Sequence, residues 1–243
     1  MGSLSLFALL ALLAEILGTV GGFGSSVLFV PLAGFFFDFR SVLGITAIFH
    51  LSSNVSKIAL FRKGIDRKLV LRIGIPAVVF VIIGAYLSRF ADSGLLELLL
   101  AIFLISLSLL FLLRRQMTIR PNTRNAIIGG ALSGITAGLL GTGGAIRGLT
   151  LSAFDLEKEK FIAISAVIDL GIDLSRSVVY YSNGYVHKHD LYLVPILLVV
   201  SIVGTWIGKK ILMRFTHTQF KSVVLGLILL TGIVGLVKSL LGR

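Results

Sequence analysis

Two glycine clusters, 120 residues apart, constrain this chain more than any other feature. The first is GGFGSS at residues 21–26 and the second is GTGGAI at residues 141–146. Glycine breaks helices because it loses the most backbone entropy on folding. A break at membrane depth is tolerated only where it is buried in protein or lines a cavity. Matched breaks in the two halves of a membrane chain therefore indicate the binding site of a transporter.

The composition predicts an all-α polytopic membrane protein. Hydrophobic residues make up 56% of the chain and charged residues only 14%, against about 25% charged in soluble domains. The net charge of +12 lies mostly in short loops, where it orients the chain and contacts membrane lipids, so no nucleic-acid partner is expected. The apolar segments cover residues 3–20, 26–37, 41–61, 69–88, 93–113, 125–140, 145–154, 160–182, 190–213 and 219–241.

The second half of the chain repeats the first. Pro76 recurs as Pro195 at an offset of 119, close to the 120-residue offset of the glycine clusters. Weak but collinear similarity of this kind is typical of transporters built from two halves. We therefore expect one membrane domain over 1–243, with a first repeat at 1–120 and a second at 121–243.

The positive charges predict how the two broken segments lie in the membrane. If both segments crossed it, the chain would have eight spans, and its twenty loop and terminal lysines and arginines would divide twelve to eight. If both are re-entrant hairpins, six spans remain and the same residues divide fifteen to five, which obeys the positive-inside rule better. The basic side then holds the positive charges of 62–72, 114–124, Lys158, Lys160 and 209–221, and the other side holds Arg40, Arg89, Lys188, Lys238 and Arg243.

Segment length agrees with the hairpin arrangement. A single helix over residues 3–37 would be about 52 Å long, whereas the apolar core of a bilayer is about 30 Å thick. The predicted fold therefore consists of two inverted repeats. Each repeat has a broken or re-entrant hairpin plus about three transmembrane helices, and both chain termini lie outside the cytoplasm.

The glycine breaks are the first candidate binding site. A short helix is expected to begin after each break, near Ser25 and Ser26 in the first half and near Gly144 in the second. Helix N-termini carry unpaired N–H groups and a partial positive charge, so two that meet near the midplane would bind a small anion. The alternative role of the glycines is close helix packing. The predicted substrate-binding residues are Gly22, Gly24, Ser25, Ser26, Asn54, Gly143, Gly144 and Arg147.

Two polar stripes accompany the breaks. His50, Asn54 and Lys57 are spaced four and three residues apart in segment 41–61, so they share one helix face. Asn54 could donate a hydrogen bond to a substrate oxygen, and Lys57 could supply positive charge. His50 could titrate near neutral pH, although a single membrane histidine is more often simply hydrogen-bonded.

The same spacing recurs in segment 160–182, where Asp169, Asp173 and Arg176 form the second stripe. Ionisable groups at membrane depth are costly, so they usually face a cavity or each other. These residues could therefore couple protons or gate the site. Alternatively they form a structural network, in which Asp173 pairs with Arg176 and Asp169 pairs with Lys57 or His50.

Two further charges lie close to the breaks. Arg147 follows the second break by about one turn and could bind an oxyanion in bidentate fashion. Its alternatives are a position at the membrane interface or a pair with Asp169 or Asp173. Glu15 precedes the first break and is assigned to coupling or gating with the two stripes.

No enzyme, cofactor or metal site is expected. The chain has no cysteine, no nucleotide-binding loop and no recognisable catalytic motif. His187 and His189 share a loop with Asp190, but a metal site needs more ligands.

The glycine clusters and their surroundings carry a resemblance to a known family. GGFGSSVLFVP at 21–31 and GLLGTGG at 138–144 resemble the paired glycine-rich stretches of sulfite exporter TauE/SafE family proteins, and FRKG at 61–64 and YSNG at 181–184 also fit. The resemblance covers residues 14–241. It implies an inner-membrane permease for sulfite, sulfoacetate and related sulfonates, and transport by a secondary, ion-coupled mechanism. The chain departs from the family pattern at Leu151, where a proline is expected, and at Arg147, which interrupts an otherwise apolar short helix.

We therefore expect a secondary transporter of small sulfur-containing anions, coupled to protons, with the anion at the facing half-helix N-termini. The alternative is a proton- or cation-coupled transporter or a channel that uses the Asp169 and Asp173 network. A homodimer is a reasonable expectation for a permease of this kind.

Overall fold

Every predicted apolar segment forms an α-helix in the computed structural model, which describes residues 2–22, 24–61, 64–113, 119–214 and 217–241. Phe23 of the first glycine cluster, the loop residues Arg62, Lys63, Arg114 and Arg115, and Arg243 lie outside the described residues. Over the described ranges the chain contains no β-strand. The helices are α1 (Gly2–Gly21), α2 (Ser26–Ala33), α3 (Phe39–Leu60), α4 (Arg67–Leu87), α5 (Ser93–Leu113), α6 (Thr123–Leu140), α7 (Gly144–Ser152), α8 (Lys158–Ser182), α9 (Leu193–Arg214) and α10 (His217–Leu241).

Five of the described helices are long and apolar enough to cross a membrane, namely α1, α3, α4, α5 and α9. Helix α8 is longer, with 25 residues, but its charged stripe lowers its hydropathy, and in the described part of α10 the residues Leu225–Leu241 form a shorter apolar stretch. Polar side chains fix several helix starts, because Asp38 and Asp66 accept hydrogen bonds from the first-turn N–H groups of α3 and α4. The all-α polytopic class is confirmed.

Each glycine cluster turns the chain back along the helix that precedes it. After α1 the backbone adopts positive φ at Gly22 (72°) and Gly24 (78°), which glycine reaches without strain. The returning chain packs so closely on Gly18 that a Cβ there would collide with the Ser25 backbone. Further along, the Phe37 ring lies 5.2 Å from the Phe7 ring. The segment from α1 through α2 is therefore a hairpin, with both arms side by side.

The second cluster makes the same turn. Gly141 ends α6 at φ 75°, and the Ser133 hydroxyl of α6 donates to the Gly143 carbonyl oxygen at 2.9 Å. Thr150 of α7 then packs against Gly129 near the start of α6. Helices α6 and α7 thus repeat the arrangement of α1 and α2.

Helix packing recurs between the two halves of the chain. Helix α6 packs on α4 as α1 packs on α9, and α8 packs on α4 as α3 packs on α9. In each comparison the first contact becomes the second when α1 is exchanged with α6, α3 with α8 and α4 with α9. The partners in every exchange are five helices apart. Three pairs map onto themselves under this exchange, namely α2 with α7, α3 with α8 and α5 with α10.

Other glycines serve close packing. Gly130, Gly134 and Gly138 lie four residues apart on α6, and a Cβ on any of them would collide with the backbone of α4. This small-residue seam lets the two helices approach closely. The packing role considered for the glycines therefore applies to this α6 seam and, within the second break, to Gly143, where a Cβ would collide with the Ser133 carbonyl group, whereas Gly22, Gly24 and Gly141 form turns.

Loops from both halves meet at one end of the bundle. The Arg40 guanidinium donates to the Ala91 carbonyl oxygen at 3.2 Å and lies 5.6 Å from the centre of the Tyr185 ring. At the same end, Lys238 Nζ donates to the Gly34 carbonyl oxygen at 2.8 Å. We call this the outer end.

Loops from both halves also meet at the other end. Lys209 Nζ donates to the Leu60 carbonyl oxygen at 2.6 Å, and the Lys160 side chain covers Gly64. The loops predicted to lie on this side carry fifteen of the twenty loop and terminal lysines and arginines. We therefore call this the basic end. The inverted hairpin arrangement in a membrane stays a prediction.

Candidate functional site

The two glycine breaks touch each other inside the bundle. The Ser26 hydroxyl, at the first turn of α2, lies 3.2 Å from the Thr142 hydroxyl in the second break. Gly24 faces the Arg147 guanidinium of α7, because a Cβ on Gly24 would lie 3.7 Å from Arg147 Nη2. The N-terminal parts of α2 and α7 therefore converge. Gly143 and Gly144, the N-cap and first residue of α7, form the second side of this junction.

Arg147 points across the junction to α8. Its side chain is 2% exposed, its Nε donates to the Ser165 hydroxyl at 2.9 Å, and both terminal nitrogens donate to the Asp169 carboxylate. A bidentate guanidinium–carboxylate contact is among the strongest hydrogen-bonded arrangements in proteins. Arg147 therefore forms an ion pair with Asp169, which is one of the two carboxylates considered as its partner from the sequence. The carboxylate holds the guanidinium in the geometry that a bound oxyanion would use.

Asp173 and Arg176 form a second ion pair one turn further along α8. Arg176 Nε donates to Asp173 Oδ1 at 2.7 Å, and the other carboxylate oxygen accepts from Asn54 Nδ2 at 2.6 Å. Arg176 Nη1 also donates to the Gly141 carbonyl oxygen at 2.8 Å. This pair therefore connects α3, α8 and the second break. The Asn54 side-chain amide is hydrogen-bonded to Asp173 as part of the same group.

Glu15 has the densest set of partners in the first half. It accepts from Lys57 Nζ at 2.9 Å, from the Ser53 hydroxyl at 2.7 Å and from the Ser25 hydroxyl at 2.5 Å. Thr205 of α9 donates to the same carboxylate at 2.9 Å. Lys57 therefore pairs with Glu15, and the pairing of Lys57 with Asp169 considered above is wrong.

Ser25 differs from its expected role as a helix cap. It is the N-cap residue of α2, but its side chain makes no capping hydrogen bond. Its hydroxyl lies between Glu15 and His50, at 3.2 Å from His50 Nε2. The Ser25 backbone is helical (φ −72°, ψ −21°) rather than extended as an N-cap residue usually is, and its hydroxyl donates to Glu15 instead of accepting from the first turn of α2.

Several polar residues of the site were missed in the sequence. Ser165 lies four residues before Asp169, and this helical spacing could have revealed it. Thr142 and Thr205 carry no such signal, because the first lies in a turn and the second contacts Glu15 from a different helix. Their roles depend on how the helices pack.

Two adjoining cavities lead to the charged residues. A cavity of about 190 Å³ at the basic end is lined by residues of α1, α7 and α8, including Thr19, Ser152 and Lys158. A second cavity of about 20 Å³ is lined by Gly24, Lys57, Ser165 and Asp169, among others. A cavity of about 10–15 Å³ by this measure holds one water molecule, so the second space has room for about one water.

One other group of titratable side chains lies at the outer end. Donor atoms of His187, His189 and Asp190 come within 4.8 Å of one another. His187 Nδ1 also contacts the Ser41 hydroxyl at 3.0 Å, and His189 Nε2 lies 3.3 Å from Asp190. The group stands at the opposite end of the bundle from the larger cavity, so we do not include it in the site.

Comparison with known proteins agrees with this architecture. A model of the family described as "Sulfite exporter TauE/SafE" matches residues 7–235. The chain is also similar to a "probable membrane transporter protein" of Methanocaldococcus jannaschii. The two are 27% identical over 257 residues, which cover 93% of this chain and 95% of the relative.

Proposed function

Because the chain belongs to the sulfite exporter TauE/SafE family, whose members are membrane transporters rather than enzymes, we propose that it is a secondary transporter of small sulfur-containing anions. Sulfite, sulfoacetate and other organosulfonates are the candidate substrates. The single observation that carries the proposal is Arg147, a buried guanidinium at the meeting point of both breaks whose two terminal nitrogens both donate to a carboxylate. A sulfonate or sulfite group presents oxygens that can occupy the same two positions.

The first step of the mechanism is an exchange of anions at Arg147. The narrow cavity beside Asp169 has about 20 Å³, room for about one water molecule, so an anion with several non-hydrogen atoms such as sulfite does not fit while the carboxylate remains in place. The incoming anion therefore displaces Asp169 and takes over its hydrogen bonds. Ser165 and the N-terminal parts of α2 and α7 contribute further donors.

The second step follows from charge balance. In the described part of the chain, the lysine, arginine and acidic side chains around the breaks form three pairs of opposite charge, namely Glu15 with Lys57, Asp169 with Arg147, and Asp173 with Arg176. An added anion would leave one buried negative charge uncompensated, at a cost of several kcal/mol. Protonation of the displaced Asp169 removes this cost. Asp169 suits the role because its side chain is 16% exposed, while Glu15 is fully buried.

The inverted organisation is part of the proposal. Loops that the hairpin arrangement assigns to opposite membrane faces lie at opposite ends of the bundle, and the recurring helix contacts support two equivalent halves, 1–120 and 121–243. The basic end would face the cytoplasm. Alternating access would then follow from rocking the halves about the junction of the breaks, within one membrane domain. Whether two such chains form a homodimer is a separate proposal that cross-linking in membranes would test.

Uptake into proteoliposomes tests this function. We expect saturable uptake of labelled sulfite or sulfoacetate that an imposed pH gradient changes and that Arg147→Ala abolishes. Asn54→Ala should reduce it, because Asn54 positions Asp173. Arg89→Ala is the matched control, since this arginine stacks on Phe90 away from the site. Unchanged uptake in Arg147→Ala would refute the anion site, and non-saturating flux would instead favour a channel.

A further inference from the structure

The larger and the narrow cavity have four lining residues in common, and one of these is large. Thr19, Gly22, Phe161 and Ile162 line both spaces. Phe161 lies on α8 and is partly buried. Among the described residues, the route from the 190 Å³ cavity towards Asp169 thus runs past this ring.

The position of Phe161 on α8 aligns it with the charged site. Phe161, Ser165 and Asp169 are four residues apart, so they lie on one face of the helix at intervals of about 6 Å. Ser165 and Asp169 both bind Arg147. An anion that moved from the basic end along this face would meet Phe161 first.

The opposite wall of the constriction is a glycine turn. A Cβ built on Gly22 would lie 3.0 Å from the Phe161 ring, so the ring packs directly on the backbone of the first break. Gly22 also has φ 72°, which favours glycine. The ring therefore lies between its own helix and a glycine backbone, and it also packs against the buried clusters that contain Ile164 and Ile162.

We infer that Phe161 closes the route between the basic-end cavity and the Arg147–Asp169 site and thereby limits the size of the anion that passes. Rotation of the ring into the 190 Å³ cavity would open the route without moving either hairpin. The inference rests on the proposed function for the identity of the permeant anion, but the barrier itself can be measured without transport.

The chain contains no cysteine, so single-cysteine variants report accessibility directly. Ala166, which is buried and lines the narrow cavity, is the reporter, and Ser152, which is exposed in the larger cavity, is the matched control. The probe is the small uncharged reagent methyl methanethiosulfonate, applied to the purified full-length protein, because the narrow cavity does not admit a sulfonate while Asp169 is in place. We expect Phe161→Ala to increase the labelling rate of Ala166→Cys at least tenfold and to leave that of Ser152→Cys unchanged.

Equal labelling of Ala166→Cys with and without Phe161→Ala would overturn the inference. If Phe161→Ala does not yield folded protein, Phe161→Leu provides the second test, with a smaller increase expected because leucine fills part of the space. An increase at both cysteines would also overturn it, since that result indicates loosening of the fold. Labelling that responds as expected in a protein without sulfite uptake would retain the barrier and refute only the proposed substrate.

Discussion

Replacement of Asp169 by asparagine tests whether this carboxylate competes with the anion for Arg147 or only supports the structure around it. In the proposed mechanism an incoming anion first displaces the carboxylate, which is bound to the same guanidinium. An asparagine at this position would keep the shape of the side chain but lose its charge. We therefore expect Asp169→Asn to bind sulfite or sulfoacetate more tightly, although it removes a residue of the site.

The magnitude follows from the interaction that is removed. A hydrogen bond to a charged group contributes about 1.5–3 kcal/mol, and asparagine can still accept one bond from Arg147. In anion-free Asp169→Asn, Arg147 makes one charge-assisted hydrogen bond fewer, so the anion has less to displace. This difference corresponds to roughly 10- to 150-fold tighter binding of the anion. Because Arg147 then lies buried without a counter-charge, the anion-free protein should also lose stability, by about 3–5 kcal/mol.

Two measurements on detergent-purified protein check this expectation. Isothermal titration with sulfoacetate gives the affinity, and thermal unfolding with and without the anion gives the stabilisation by ligand, which should be larger in the variant. Glu97→Gln is the control, since it removes one negative charge at the outer end, where Glu97 lies 3.9 Å from Lys238. Weaker or unchanged binding by folded Asp169→Asn would refute the exchange mechanism.

Three other predictions concern the framework. Glu15→Gln should lower the free energy of unfolding by about 3–5 kcal/mol because it leaves Lys57 buried and unpaired, and adding Lys57→Met should recover part of the loss in chemical unfolding. Single cysteines at positions 3 and 241 should be labelled from outside intact cells, and labelling only after permeabilisation would contradict the inverted arrangement. Burial opposes ionisation of Asp38, but hydrogen bonds from the first turn of α3 hold its pKa below the ordinary value. Stability should therefore fall as the pH drops through that pKa, and Asp38→Asn should weaken this dependence in thermal unfolding.

The helices and breaks were predictable because they depend on local patterns. Apolar segments, glycine clusters and the four-and-three spacing of the polar stripes all act within one or two helical turns. These patterns identified α3 and α8 as the polar helices and placed a short helix after each break. The family resemblance, carried by the same glycine stretches, is confirmed over residues 7–235.

The pairing of charges was less predictable because periodicity gives the face of a helix but not its partner. Glu15 binds Lys57 on another helix, 42 positions later in the sequence, while Asp169 binds Arg147 on the short helix that follows the second break. Either acid could satisfy either base by charge alone. The choice depends on the depth at which each hairpin stops, and that depth depends on packing contacts such as Gly18 on Ser25.

The contact between Asn54 and Asp173 explains why the two halves differ chemically. These residues occupy equivalent positions in the proposed repeats, yet they touch each other at 2.6 Å. Residues that are equivalent and in contact must lie near the axis that relates the halves. Two aspartates there would repel each other unless they shared a proton, whereas an amide and a carboxylate form a hydrogen bond. The sequence difference at this position therefore lets the proposed halves meet without a shared proton.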